Sequence, residues 1–283
     1  MAPDPDRILP VEPSRAGAPT AIDALLQEGA IEVLGRLPDS SNGAVLVRVT
    51  HEGRSALAIH KPIAFERPLW DFPLGHLAWR ERAAHLVCRA VGLALIPPTV
   101  LREGPWGPGS LQEWIGGPGE ELEILVDVCS AAEVQEGWLS VLSGEDQDGH
   151  PVVLSHSAAE SVADLALLDA VLNNTDRKGG HVVHARGAVW AFDHGITLGV
   201  EPKLRTVLWG WSAQPLAPRH LQMLMRLEDA LGEEGAESLG EQLAALLDQR
   251  EVAALRDRVA RLRRSARFPS PSSDWPAIPW PAL

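Results

Sequence analysis

An apolar helix that runs directly into a polar, glycine-containing loop constrains this chain more than any other stretch. Residues 161–172 have the spacing of an amphipathic helix, and the loop Asn173-Asn-Thr-Asp-Arg-Lys-Gly-Gly180 follows at once. Residues 182–192 then alternate around Arg186-Gly187, which predicts a hairpin with a two-residue turn. The helix and hairpin hold the polar loop between them.

The hairpin's register brings chemically active side chains together. With Ala185 opposite Ala188, His181 is expected beside Asp193, and Asp176 lies within a loop's reach. Two carboxylates and an imidazole suit a Mg²⁺ or Mn²⁺ site. The alternative is a solvated turn with Asx caps, which the hairpin and the second aspartate make less favoured.

Lysine is rare enough to mark positions. Only three of the 25 basic residues are lysines, namely Lys61, Lys178 and Lys203. A compact ammonium is not interchangeable with a planar guanidinium, so each lysine is a candidate functional residue. For Lys178 and Lys203, an ordinary exposed position is an equal alternative.

The order of the elements predicts an α+β chain with two lobes. Strand patterns and one helix at 75–92 fill the first part, and Gly116-Gly-Pro-Gly119 marks a joint. Helical patterns dominate afterwards. We expect a flexible leader at 1–19, a sheet-rich lobe at 20–118, a mainly helical lobe at 119–265 and a Pro/Trp-rich tail at 266–283.

Composition excludes several classes of protein. The 283 residues carry a net charge of −13, which disfavours nucleic-acid binding and attraction to anionic lipid. Apolar stretches are too short to span a membrane, and the N-terminus lacks the apolar region of a secretory signal. Two cysteines cannot form a disulfide framework. We expect a cytoplasmic protein without integral membrane contact.

Two motifs resemble those of a known superfamily. Asn174-Thr-Asp-Arg177, followed by Phe192-Asp-His-Gly195, is similar to the catalytic and metal-binding segments of the phosphatidylinositol 3-/4-kinase-like superfamily. The type II phosphatidylinositol 4-kinase and HipA-like branches, and a related group of actinobacterial proteins, resemble it most. Ile59-His-Lys-Pro62 resembles their ATP-lysine strand, and residues 80–87, 96–100 and 109–115 resemble the helix, strand and hinge that follow.

The resemblance implies a bilobal protein-kinase-like fold that transfers the γ-phosphate of ATP to a hydroxyl acceptor on a protein, small molecule or lipid. Lys61 would neutralise the α- and β-phosphates, and Glu81 would hold Lys61. Asp176 would orient or deprotonate the acceptor, and Asp193 would bind Mg²⁺ or Mn²⁺. Further roles fall to Lys178 at the transferring phosphate, Gln112, Glu113, Trp114 and Ile115 at adenine through their backbone groups, and residues 40–43, including Ser41 and Asn42, over the phosphates.

Two departures keep other functions open. His181 stands where the family usually has a second metal-binding asparagine, and the phosphate-covering loop lacks a full glycine fingerprint. Either departure fits a nucleotide-binding pseudokinase or a regulatory interaction module. A third hypothesis is a metal-dependent hydrolase that uses Asp176, His181, His184 and Asp193, in which Lys61 has no role.

Overall fold

A five-stranded antiparallel sheet forms the N-terminal part of the protein. The computed structural model describes residues 21–37, 43–72, 76–117 and 119–283, so the predicted leader and the proposed phosphate contacts Ser41 and Asn42 lie outside the described residues. The strands follow the order β1-β2-β3-β5-β4. They are β1 (Ala30–Arg36), β2 (Val45–His51), β3 (Arg54–Pro62), β4 (Thr99–Gly104) and β5 (Gly107–Glu113).

Alternation of apolar residues explains why β2 lies at the centre of this sheet's packing. Val45, Val47 and Val49 all point to the same face and are fully buried. Helix α1 (Ala21–Glu28) covers that face with Leu25 and Leu26. The turn to β3 has positive φ at both Glu52 and Gly53, the conformation that a tight hairpin requires. The predicted strands here are confirmed.

Helix α2 (Leu77–Ala90) confirms the predicted helix but packs in an unexpected direction. Ala84, Val87 and Cys88 belong to the same hydrophobic cluster as the C-terminal helices, not to the cluster beneath β2. Arg80 of this helix forms a buried ion pair with Glu251, with 2.5 Å between Nη2 and Oε1. Helix α2 is therefore held by the C-terminal part of the protein.

The C-terminal part contains the helices that the pattern predicts. Helix α3 (Glu160–Leu172) is buried along most of its length and packs on α6 (Gln249–Ser265), while α4 (Pro218–Gly232) and α5 (Leu239–Ala244) pack on α6 and on each other. Residues 269–283 contain no helix or strand and lie along this helical region. No helix among the described residues has the length and apolarity needed to span a membrane.

One region of strands was not predicted. Residues 126–157, which fall in the part that we expected to be mainly helical, form the sheet β7-β9-β8 from β7 (Val126–Cys129), β8 (Trp138–Glu145) and β9 (Pro151–Ser157). Strand β8 is exposed along most of its length, so it lacks the apolar alternation that identifies a half-buried strand. Pairing with β9 defines it instead.

The hairpin that follows α3 has the predicted register. Strands β10 (Val182–Ala185) and β11 (Ala188–Ala191) place Ala185 opposite Ala188, with Arg186 and Gly187 at positive φ in the turn. Strand β10 also pairs with the short β6 (Glu123–Ile124). The hairpin therefore delivers residues 181 and 193 to one end of the C-terminal part, facing the large sheet.

Candidate active site

Lys61 joins the two parts of the molecule. It lies near the end of β3, and its ammonium contacts the Glu81 carboxylate on α2 and lies 3.1 Å from Asp193 Oδ1. Burial by itself would lower the pKa of Lys61, but the carboxylates of Asp193 and Glu81 outweigh burial and raise that pKa above its usual value. The ammonium is therefore charged at any physiological pH.

Glu81 links three segments with one carboxylate. Its side chain is only 2% exposed. While Oε1 binds Lys61, Oε2 accepts the backbone N–H of His194 at 3.1 Å. A buried carboxylate without partners would be costly, so these two donors explain how a charge sits on an otherwise small and apolar face of α2.

Asp193 follows β11 with a left-handed backbone. Its φ of 56° is uncommon for a residue other than glycine and directs the side chain toward Lys61. The Lys61 ammonium holds the pKa of Asp193 well below its ordinary value despite burial of part of the site. Its side chain keeps 51% of its surface exposed, so the carboxylate remains reachable by a ligand.

His181 is a neutral partner of Asp193. Its Nε2 lies 3.8 Å from Asp193 Oδ2, too long for a hydrogen bond but close enough for one cation to contact both. Burial lowers the pKa of His181 to about 4, which the nearby Asp193 does not offset. Its Nδ1 is buried without a hydrogen-bond partner among the described residues. A neutral imidazole beside a carboxylate fits a divalent cation such as Mn²⁺.

Asp176 lies in the polar loop after α3. Its backbone N–H donates to Asn174 Oδ1 at 3.0 Å, and its carboxylate lies 3.2 Å from Lys178 Nζ. Burial raises the pKa of Asp176, and Lys178 opposes that rise only in part. A carboxylate with a raised pKa is better able to accept a proton from an acceptor hydroxyl.

A buried ion pair that we did not predict, between Arg177 and Asp169, connects the Asp176 loop to the Phe192-Asp-His-Gly195 motif. Arg177 and Asp169 are both fully buried, with Nε–Oδ2 and Nη2–Oδ1 distances of 2.9 and 3.0 Å. The same guanidinium donates to the carbonyl of Phe192 at 2.7 Å and lies 2.7 Å from His194 Nε2. Arg177 thus holds the carbonyl of Phe192 and the imidazole of His194, on either side of Asp193. The sequence feature that could have indicated this ion pair is Asp169, an aspartate inside an otherwise mostly apolar helix.

The sequence of this chain matches a mycobacterial protein along nearly its whole length. It is 42% identical over 268 residues to Protein Rv2133c of Mycobacterium tuberculosis (strain ATCC 25618 / H37Rv), covering 92% of this chain and 95% of the relative. The chain belongs to the family of Protein Rv2133c. No family model matches it.

The fold resembles solved kinases. A structure of the Golgi casein kinase with Mn/ADP bound superposes with a TM-score of 0.56 at 13% identity, covering 87% of this chain and 74% of that chain. A second structure of the Golgi casein kinase gives 0.52 at 15% identity, covering 88% and 79%. This chain therefore has a kinase-like fold, with a sheet-rich N-terminal region and a helical C-terminal region.

The segment expected to contact adenine follows β5 and packs on the hairpin. The backbone N–H groups of Glu113 and Trp114 donate to Pro98 and Leu57, whereas that of Ile115 has no partner among the described residues. Arg186 from the β10–β11 turn binds the Glu113 carboxylate at 2.6 Å. The side chain of Gln112 turns away to Thr99, and its backbone lies in β5, which pairs with both β3 and β4.

The residues of the hydrolase hypothesis do not assemble. Among the described residues, the only His/Cys/Asp/Glu trio with ligand atoms within 4.8 Å of one another is Asp146, Asp148 and His150. That trio is exposed, and Asp146 accepts backbone N–H groups of the same turn, which explains its geometry without an ion. His184 instead pairs with Glu123 at 3.1 Å. The four residues of the hydrolase hypothesis therefore provide no three-ligand centre within the described part of the chain.

Proposed function

We propose that this protein is an ATP-dependent phosphotransferase of the phosphatidylinositol 3-/4-kinase-like type, which transfers the γ-phosphate to a hydroxyl acceptor. The observation that carries the proposal is the contact of Lys61 with both Glu81 and Asp193. Phosphoryl transfer needs a fixed cation near the phosphates and a carboxylate for a metal ion. A β-strand lysine held by a helix glutamate supplies the first of these groups.

ATP would bind between the sheet and the hairpin. The free N–H of Ile115 is available to an adenine acceptor atom, and the Lys61 ammonium to phosphate oxygens. In the absence of nucleotide, Lys61 neutralises Asp193 instead. Phosphate binding would then exchange one anionic partner of Lys61 for another, without leaving the ammonium buried and unpaired.

Asp193 and His181 would hold Mg²⁺ or Mn²⁺. Such an ion commonly takes one or two protein ligands and completes its coordination with phosphate oxygens and water, and it would neutralise charge on the phosphates. Asp176, with its raised pKa, would orient the acceptor hydroxyl and accept its proton. Lys178, 3.2 Å from Asp176, would keep that carboxylate oriented or contact the transferring phosphate.

A nucleotide-binding pseudokinase is the alternative that one observation favours. His181 replaces the asparagine of the superfamily, and its buried Nδ1 lacks a partner among the described residues. An imidazole binds Mg²⁺ less readily than an amide oxygen does, so binding without transfer is the expected behaviour if Mn²⁺ does not substitute. The hydroxyl acceptor and the cytoplasmic location belong to the phosphotransferase proposal. Cys88 and Cys129 are both free thiols.

The proposal is tested by nucleotide binding and turnover with MgCl₂ or MnCl₂. Lys61→Met and Asp193→Asn should weaken binding of ATP with metal at least tenfold and abolish phosphate transfer, including transfer to the protein itself. Arg54→Met, at the exposed start of the same strand β3, and Asp257→Asn, exposed on α6, are the matched controls. Both controls should behave as wild type.

Three results separate the hypotheses. Metal-dependent ATP binding with transfer that requires Lys61 and Asp193 supports the kinase. The same binding without transfer to protein, lipid or small-molecule hydroxyls supports the pseudokinase. Unchanged binding and turnover in both Lys61→Met and Asp193→Asn refutes both.

A further inference from the structure

Residues 275–283, here called the tail segment, bind the loop that carries Asp176. The carbonyl of Ala282 accepts the N–H of Gly179 at 2.7 Å. A Cβ added to Gly179 would lie 2.5 Å from Leu283 Cδ2 and 3.1 Å from Val126 Cβ, so a larger residue fits here only if these neighbours shift. The adjacent Gly180 has open space at the same position.

The tail segment also binds residues 206–209, which follow the Phe192-Asp-His-Gly195 motif. The carbonyl of Ala277 accepts the N–H of Thr206 at 3.1 Å and the indole N–H of Trp209 at 2.9 Å. Residues 205–207 are also bonded to the Asp176 loop. The backbone N–H of Arg177 donates to the carbonyl of Arg205 at 3.0 Å, and the backbone N–H of Val207 donates to the carbonyl of Arg177 at 3.1 Å. The Asp176 loop, residues 205–207 and the tail segment thus form three adjacent layers.

Lys203 connects the tail segment to the N-terminal part of the protein. Its ammonium lies 3.9 Å from the ring centre of Trp275 and 4.4 Å from that of Trp70, and 3.0 Å from Asp71 Oδ2. Two aromatic faces and a carboxylate thus hold the ammonium of Lys203. Lys203 is only 7% exposed, which rules out the alternative of an ordinary exposed position.

These contacts converge on parts of the proposed site that must be held still. Trp70 and Asp71 lie just before α2, the helix of Glu81, and Gly179 and Thr206 flank the Asp176 loop. A hydroxyl acceptor and a γ-phosphate react only when the groups around them are fixed within a fraction of an ångström. We therefore expect the contacts of the tail segment to affect the positions of the reacting groups beside it.

We propose that the tail segment is a positioning element for catalysis, with Trp275 as the positioning residue that acts through Lys203. This inference rests on the proposed function for its catalytic consequence, while its structural part can be measured independently. The tail segment orders the Asp176 loop and residues 203–209 and does not contact the nucleotide lysine. Its loss is expected to slow transfer without weakening ATP binding.

Hydrogen exchange tests the structural part on the full chain. Gly179→Ala should displace the tail segment and increase amide exchange at least tenfold in residues 203–209, which lie away from the substitution, as well as in 275–283. Gly180→Ala is the matched control and should leave both stretches at wild-type rates. Equal exchange in the two variants at residues 203–209 would overturn the inference.

Turnover and binding test the catalytic part. Trp275→Ala should lower kcat at least tenfold while the Kd for ATP with MnCl₂ changes less than twofold, and Trp275→Phe should restore most of kcat. Trp280→Ala, which removes an 87% exposed ring of the same segment, should match wild type. Equal kcat in the Trp275→Ala and Trp280→Ala variants contradicts the positioning role. A wild-type chain that transfers no phosphate refutes the proposed function, and the exchange comparison still decides whether the tail segment orders these loops.

Discussion

Replacing Asp169 by asparagine removes one charge from the most deeply buried ion pair near the site while keeping the side-chain volume. Asp169 accepts two bonds from Arg177 at 2.9 and 3.0 Å and a third from Asn174 Nδ2 at 2.9 Å. Both members of the ion pair have no exposed surface. The asparagine variant therefore leaves a guanidinium that water cannot reach.

Two independent routes give the size of the effect. Charge-assisted hydrogen bonds contribute about 1.5–3 kcal/mol each, and Asp169 makes two of them to Arg177. Breaking a buried ion pair by neutralising one partner typically costs about 3–5 kcal/mol. We therefore expect Asp169→Asn to lower the free energy of unfolding by about 3–5 kcal/mol.

Urea unfolding at neutral pH measures this loss. Asp164→Asn is the matched control because it makes the same substitution in the same helix, where the carboxylate pairs with the partly exposed Arg219 and with His220. Its expected cost is about 1 kcal/mol, as for pairs nearer the surface. Equal losses in the two variants, or a loss below about 1 kcal/mol for Asp169→Asn, would refute the reasoning.

The apolar double variant Asp169→Leu/Arg177→Met separates stability from positioning. Replacing both partners of a buried ion pair by apolar residues is often neutral for stability, so much of the lost free energy should return. The bonds from Arg177 to Phe192 and His194 remain absent. Faster amide exchange in residues 191–197 at recovered stability is the expected result, and wild-type exchange there would show that Arg177 does not hold the metal motif.

Three further predictions concern single groups. Under the proposed function, Glu81→Gln should lower phosphate transfer at least tenfold in a turnover assay, because a neutral amide cannot hold the Lys61 ammonium as a carboxylate does. The pKa of His181 is about 4 in the folded protein and about 6.5 in the unfolded chain, so the unfolded chain takes up a proton first as the pH falls. The free energy of unfolding should therefore decrease by up to about 3 kcal/mol between about pH 6.5 and 4. Urea unfolding at each pH measures this decrease, which should be smaller in His181→Asn. Arg186→Ala should lower the Tm by several degrees, since it leaves the buried Glu113 without its cation, whereas Arg48→Ala at an exposed pair should change the Tm little.

Local patterns were sufficient where a segment's neighbours are close in sequence. The hairpin of residues 182–191 was predictable because a two-residue turn at Arg186-Gly187 determines the register of the strands on either side. Helix α3 was predictable as an apolar segment of helical length, but the predicted amphipathic character was wrong, because buried residues lie on all sides of the helix. The exposed strand β8 was not, since pairing with β9 defines it and no apolar alternation marks it.

Side-chain partners depend on packing between distant segments. Lys61 and Asp193 are 132 residues apart in the chain, yet 3.1 Å separates their charged atoms. The resemblance to a kinase superfamily indicated that both would serve one site, but no local rule shows which atoms meet. Lys203 was equally unpredictable, because two indole rings and Asp71 reach it from segments on either side of it in sequence.

The amino-acid sequence by itself determined which chemical groups this protein can use and which elements carry them: a strand lysine, a helix glutamate, and two aspartates on a loop and a hairpin. The elements follow from periodicities of two and 3.6, which are properties of short segments, whereas the choice of these side chains rests on residue type and on the resemblance to the kinase superfamily. Only the tertiary structure decided that Arg177 is buried between the loop and the metal motif, that α2 packs on the C-terminal helices, and that residues 275–283 lie against the Asp176 loop. Such contacts arise when distant segments are brought together by burial of a common apolar core. The pattern of residues along the chain does not show which distant segments will pack together.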